Sequence, residues 1–266
     1  MNDLHRRMKF LVKERAVRLL ELDEKVERLS RAIDDGDTNI FFLAMFGKDV
    51  MLKAKLIMSL QTSFRMSFYE QISKFLGELA GFEVENQFKL RGSIPDEVSR
   101  FLERTLDNVS YRPDRANEYR MLSELYSEAE QEGRIGDLIF TPDSTVDVFI
   151  KTPDGTEIFI DITTVKPNKK EFRTMKRKIL TWYFMRLSHG DISPNKIKTY
   201  MAIPYNPESS ESDIYTRWNG YYDSEDLLVG DQLWRLVSNG NFSLLDMLDV
   251  FVELGDEYQE RITNCF

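Results

Sequence analysis

T-P-D-S-T-V-D-V-F-I-K-T-P-D-G-T-E-I-F-I-D-I-T-T-V-K, residues 141–166, is two alternating runs joined by Pro153-Asp154-Gly155. Pro fixes φ at the first turn position and Gly supplies a left-handed residue, so the three residues close a hairpin with a bulge. If Thr152 pairs with Thr156, every cross-strand partner follows. Val146 meets Ile162, Val148 meets Ile160 and Ile150 meets Ile158 on an apolar face. On the other face Lys151 meets Glu157, Phe149 meets Phe159 and Asp147 meets Asp161. Directly opposed Cβ atoms lie roughly 4.5–5.5 Å apart, where like charges destabilise a ladder. A divalent cation between the two carboxylates would remove that repulsion.

Asp147 and Asp161 are therefore candidate metal ligands. The alternative is a solvated edge hairpin whose aspartates splay into water, although Phe149 and Phe159 on the same face argue for partial cover. Hard oxygen ligands favour Mg2+, which is commonly held by one or two carboxylates plus substrate phosphates. Two histidines, His5 and His189, and a single Cys265 are too few and too scattered for a zinc site.

The 266 residues carry 42% hydrophobic and 12% aromatic side chains, enough for a proper core. No stretch of 18 apolar residues spans a membrane, and the N-terminus lacks a signal-peptide pattern. One cysteine fits a reducing compartment, so a cytoplasmic protein is expected. The net charge of −9 argues against a polyanionic partner, but its distribution does not. Residues 166–198 hold ten basic side chains against two acidic ones, starting five residues after Asp161. A basic patch in an acidic chain suits a local phosphate contact; a solvated helix face is the blander reading.

Apolar spacing predicts a helix over 3–34, ending at Asp34-Asp35-Gly36-Asp37, and a second helical block over about 50–79 that carries Glu70. Ser93-Ile94-Pro95-Asp96-Glu97 is a helix start with Ser as cap. Another helix covers roughly 116–131, followed by strands near 145–152 and 156–165. A helix over 170–187, a strand over 196–204 and helices near 231–237 and 243–254 complete the chain. The order gives an α/β fold, a small sheet with interleaved helices behind a helical N-terminal region. The expected division is an extension over 1–40 and one globular unit over 41–266.

Paired strand carboxylates suit metal-assisted phosphodiester hydrolysis. The arrangement resembles the PD-(D/E)XK nuclease superfamily, with Asp147 as first acid (Pro142-Asp143 being the other candidate) and Asp161-Ile162-Thr163 standing for D-X-K. More specifically, I-D-I-T-T-V-K-P-N-K-K-E-F (160–172), P-Y-N-P (204–207), Y-T-R-W (215–218), V-G-D-Q-L-W (229–234) and L-L-D-M-L-D-V-F-V-E-L-G (244–255) resemble the TdeIII-type family of type II restriction endonucleases. The resemblance covers roughly residues 40–255. It implies a central mixed β-sheet flanked by helices, in a Mg2+-dependent, cytoplasmic prokaryotic enzyme that cuts double-stranded DNA at a short site. It also implies a homodimer and a companion DNA methyltransferase acting on the same site. Glu70 is an additional acid by the same resemblance. Lys169, Lys170, Arg173, Lys176 and Arg177 would contact phosphates, and Asn206, Tyr215 and Arg217 are candidate base readers, with Trp218 beside them.

The departure from the pattern is Thr163, where a lysine is expected on the face of Asp161. Lys166 is the nearest substitute, but an odd number of residues separates it from Asp161, so only a twist or bulge would bring it round. Cleavage is the main reading. A DNA-binding protein of the same fold with weak or lost cleavage, and a repair or junction nuclease, are the alternatives.

Overall fold

The computed structural model describes residues 3–108, 112–163, 169–206 and 222–264. Lys166, Tyr215, Arg217 and Trp218 lie outside the described residues, and so does the side chain of Lys169. Among the described residues no helix is long and apolar enough to cross a membrane.

The chain divides into two compact units, 1–72 with 242–266, and 73–241. This differs from a boundary near residue 40. The first unit is helical: α1 (Asp3–Leu20), α2 (Leu22–Asp34), α3 (Ile40–Ser63) and α9 (Leu244–Asn264), the last returning from the end of the chain. Met8, Val12, Ala16 and Leu20 form a buried i, i+4 stripe on α1, and Met247, Val250, Leu254 and Tyr258 form one on α9. Lys9 pairs with Asp249 at 2.6 Å and Lys13 with Glu253 at 3.2 Å. These long-range contacts, invisible to a reading along the chain, pull the last helix into the first unit.

The single helix expected over 3–34 is broken at Glu21, whose φ is +45°. The block expected over 50–79 is also segmented. Asn39 caps α3 through Phe41 N at 3.0 Å, Gly47 kinks it at φ +76°, and a π-helical turn (Phe64–Phe68) leads into α4 (Tyr69–Leu79).

The second unit is a five-stranded mixed sheet in the order β1 (Glu83–Gly92), β2 (Ile139–Lys151), β3 (Glu157–Ile162), β4 (Ile197–Ile203), β5 (Leu227–Val229). The first two pairings are antiparallel and the last two parallel. Helices α5 (Asp96–Asp107), α6 (Arg115–Gln131), α7 (Lys169–Leu187) and α8 (Asp231–Val237) accompany it. Parallel strands need a crossover, and α7 is the crossover between β3 and β4. It buries Phe172, Ile179, Leu180, Tyr183 and Phe184 in a core shared with Phe159, Met201 and Ile203. Each such side chain contributes about 1.5–3 kcal/mol by burial.

The hairpin register is the predicted one: Val148 pairs with Ile160, Phe149 with Phe159, Ile150 with Ile158 and Lys151 with Glu157. Thr152 N donates to Thr156 O at 2.9 Å, and Gly155 has φ +80°. β1 and β5 were not anticipated. Val84, Phe88 and Leu90 do alternate in β1, but the intervening charges mask the pattern. Ser93 is not a helix cap either: its Oγ accepts Gly136 N at 2.9 Å, and α5 begins at Asp96 after Pro95.

Candidate active site

α7 lies along β3 and is pinned to it twice. Near the start of β3, the Arg186 guanidinium grips both oxygens of buried Glu157, Nη2 to Oε1 at 3.0 Å. Near the end, Lys178 Nζ donates to Asp161 Oδ1. Four strand residues span about 13 Å, and eight helix residues span about 12 Å. One docking angle thus satisfies both pairs. Gly92 of β1 permits the approach, because a Cβ there would overlap the Met185 backbone of α7.

Beneath this end of α7 is a pocket of roughly 470 Å³, lined by Gln87, Pro142, Asp143, Thr145, Asp147, Asp161, Thr174, Met175 and Lys178. Asp147 reaches it from β2. Its Oδ2 accepts the Ile162 N–H at 2.7 Å, and Gln87 Nε2 lies 3.5 Å from Oδ1. The paired positions of β2 and β3 end at Val148 and Ile160, one step short of the two aspartates. The repulsion expected between two opposed carboxylates is thus offset by Lys178 on one and a backbone amide on the other. Asp143, the alternative first acid, lines the same pocket, and its carbonyl accepts Trp182 Nε1 at 3.0 Å.

The ammonium that meets Asp161 comes from α7. Thr163 continues the backbone pattern, its N–H donating to Ala202 O at 2.9 Å. Lys178 stands 4.8 Å from the centroid of the Trp182 ring, and its side chain is about a quarter exposed at the pocket. Sequence reading counts Lys178 among ten basic residues without giving it a role. The i, i+4 stripe Lys170, Thr174, Lys178, Trp182 and Arg186 carries three cations, so spacing alone does not single out Lys178.

The basic residues of α7 separate by helix face. Arg173 pairs with Asp107 at 3.0 Å and Arg177 with Glu103 at 3.3 Å, both at the surface of α5. Lys170 is exposed, and Asn206 is half-buried just beyond β4. Lys176 departs from the phosphate role expected of it. It is 1% exposed and bound to Glu118 and Asp226, with Arg115 donating to Thr199 O at 3.0 Å beside them. Helical periodicity turns residue 176 towards the sheet, and only these buried acids make that tolerable. Glu70 stands in the first turn of α4, in the first unit.

A mixed sheet with two strand aspartates and a helix-borne lysine around one pocket is a restriction-endonuclease-like arrangement. The chain belongs to the family of the type II restriction endonuclease HinfI, whose model matches residues 9–255. The sequence had suggested the TdeIII-type family; the match is to HinfI, within the same class of enzymes. Among curated proteins, the chain is 25% identical over 205 residues to the type II restriction enzyme MjaII of Methanocaldococcus jannaschii, covering 72% of this chain and 52% of that protein. It is 27% identical over 120 residues to HgiEI of Herpetosiphon aurantiacus, 44% of this chain and 42% of that one. HgiBI of the same organism is 25% identical over 122 residues, with the same coverage. The chain spans about half the length of the curated relatives it matches.

Proposed function

We propose that this chain is a Mg2+-dependent, site-specific endodeoxyribonuclease that hydrolyses phosphodiester bonds in double-stranded DNA. The observation that carries the reading is the convergence of Asp147, Asp161 and Lys178 on one pocket. The donor set fits Mg2+: Asp147 and Asp161 offer hard carboxylate oxygens to one pocket. Such a site leaves coordination positions for water and a substrate phosphate. When bound, the ion supplies Lewis-acid polarisation of the phosphoryl group and lowers the pKa of water.

The protein's own side chains orient and neutralise. Asp147 and Asp161 would hold the ion, and the Ile162 amide fixes the Asp147 carboxylate. Lys178 places a positive charge where charge develops on the phosphoryl oxygens or the attacking oxygen. Thr163 and Lys166 then need not be catalytic, and lost cleavage for want of a lysine loses its premise. Glu70 is retained as a further acid on the strength of the resemblance alone.

Lys169, Lys170, Arg173 and Arg177 are the proposed phosphate contacts, with Asn206, Tyr215 and Arg217 as base readers. A companion methyltransferase and a prokaryotic cytoplasm follow from the proposed restriction role. We assign the working form as a homodimer through α3, whose opening run I-F-F-L-A-M-F has no polar side chain. Ile40, Phe41, Phe42, Met45, Phe46, Val50, Ile57 and Met58 are each more than half exposed. A standard interface takes roughly 800 Å² from each partner, and its buried core is apolar and rich in aromatic side chains and Met.

Incubating the chain with plasmid and genomic DNA in Mg2+ tests the function. Discrete fragments, abolished by EDTA and by Asp161→Asn, are expected. DNA that is shifted in a gel but never cut would refute the nuclease reading.

A further inference from the structure

Gln87 is the one described sheet residue with a left-handed backbone, φ +53°. Glutamine gains nothing there, since the region favours Gly and, less strongly, Asn or Asp. The residue lies directly across the β1–β2 ladder from Asp147. Paired positions run Asn86 with Val148 and Phe88 with Val146, and skip Gln87 and Asp147 between them.

The strand faces change at that gap. Phe88 shares a face with its partner Val146, yet its ring stacks on Phe149 at 4.4 Å, and Phe149 is three residues from Val146. Regular alternation puts residues three apart on opposite faces. Val146, assigned above by parity to the face of Val148 and Ile150, instead joins the core of Phe159 and Trp182. The reset falls on Asp147, and the Gln87 amide reaches Asp147 Oδ1 at 3.5 Å inside the pocket.

We propose that Gln87 is a positioning residue for Asp147: its left-handed backbone opens the ladder so that the carboxylate turns into the pocket, and its amide steers the Oδ1 side. Non-glycine residues in this conformation are stored strain of the kind found at functional sites. The proposal rests on the metal-nuclease reading of the same pocket.

Gln87→Gly and Gln87→Ala separate its parts. Glycine adopts the backbone without strain and lacks the amide; alanine keeps the strain and lacks the amide. Three quantities are read: melting temperature, DNA cleavage, and Tb3+ emission sensitised by Trp182, counting only the signal that Asp161→Asn removes. For Gln87→Gly the expected result is a melting temperature equal to or above wild type, with cleavage down at least tenfold and Tb3+ half-saturation raised severalfold. Gln87→Ala should show the same losses at unchanged melting temperature. Such losses without destabilisation are what a merely structural residue would not produce. Wild-type cleavage and Tb3+ uptake in both variants would overturn the proposal, as would losses that simply track a fall in melting temperature. Failure of the wild-type chain itself to cut DNA and to take up Tb3+ would instead overturn the metal-nuclease reading.

Discussion

Lys178 of α7 donates to Asp161 of β3 across seventeen residues of chain, setting an ammonium beside an acid whose own strand offers only the Thr163 hydroxyl two residues on. Lys178→Ala should lower the cleavage rate by about 10²–10³, the usual effect of removing one transition-state donor, while leaving DNA affinity in Ca2+ nearly unchanged. Adding Thr163→Lys to that variant should recover part of the rate, because residues 161 and 163 share a strand face. Cleavage at the wild-type rate by Lys178→Ala would return the role to Lys166.

The basic side chains of α7 should divide into two functional groups. Arg177→Ala and Arg173→Ala, at exposed positions, should barely change stability but reduce the salt dependence of DNA binding by about one unit of slope each. Lys176→Ala should do the reverse. Leaving Glu118 and Asp226 buried without their ammonium costs about 3–5 kcal/mol, read as a lower urea midpoint. A Lys176 variant of normal stability and weakened DNA binding would contradict its burial.

If α3 is the dimer surface, Phe41→Glu with Phe46→Glu should convert a dimer into a monomer by light scattering, with the helical circular dichroism retained. Double-strand cleavage should give way to nicking, since each subunit reads one half-site. A monomeric wild-type chain would sink the assignment.

The Arg186 guanidinium, which also holds Glu157, keeps the Asp191 carboxyl below its ordinary value of 3.8. A depressed carboxylate pKa stabilises the fold above the unfolded value, and that contribution disappears as pH falls through the folded one. Asp191→Asn should therefore be slightly less stable than wild type from neutral pH down to about 4. The difference should vanish in stronger acid, as followed by thermal melts across that range. Asp191 is largely exposed, so the effect should stay within about 1 kcal/mol.

Much of the site was legible locally. Pro153-Asp154-Gly155 closes the hairpin, period-2 alternation sets the register, and together they place Asp147 beside Asp161 before any coordinates are known. The alternation misled at Val146, because it assumes a regular ladder and the left-handed Gln87 interrupts this one.

The sequence by itself determined the hairpin and the placing of its two acids, since strand pairing across a three-residue turn depends on neighbours in the chain. Only the tertiary structure decided which of the described basic side chains between 170 and 198 meets those acids. That choice depends on how α7 packs on the sheet, through Gly92 against Met185 and Arg186 against Glu157. The same packing angle brings Lys178 to Asp161 and buries Lys176 two residues earlier. One turn of helix has 3.6 residues, so neighbouring lysines on one helix face different surroundings.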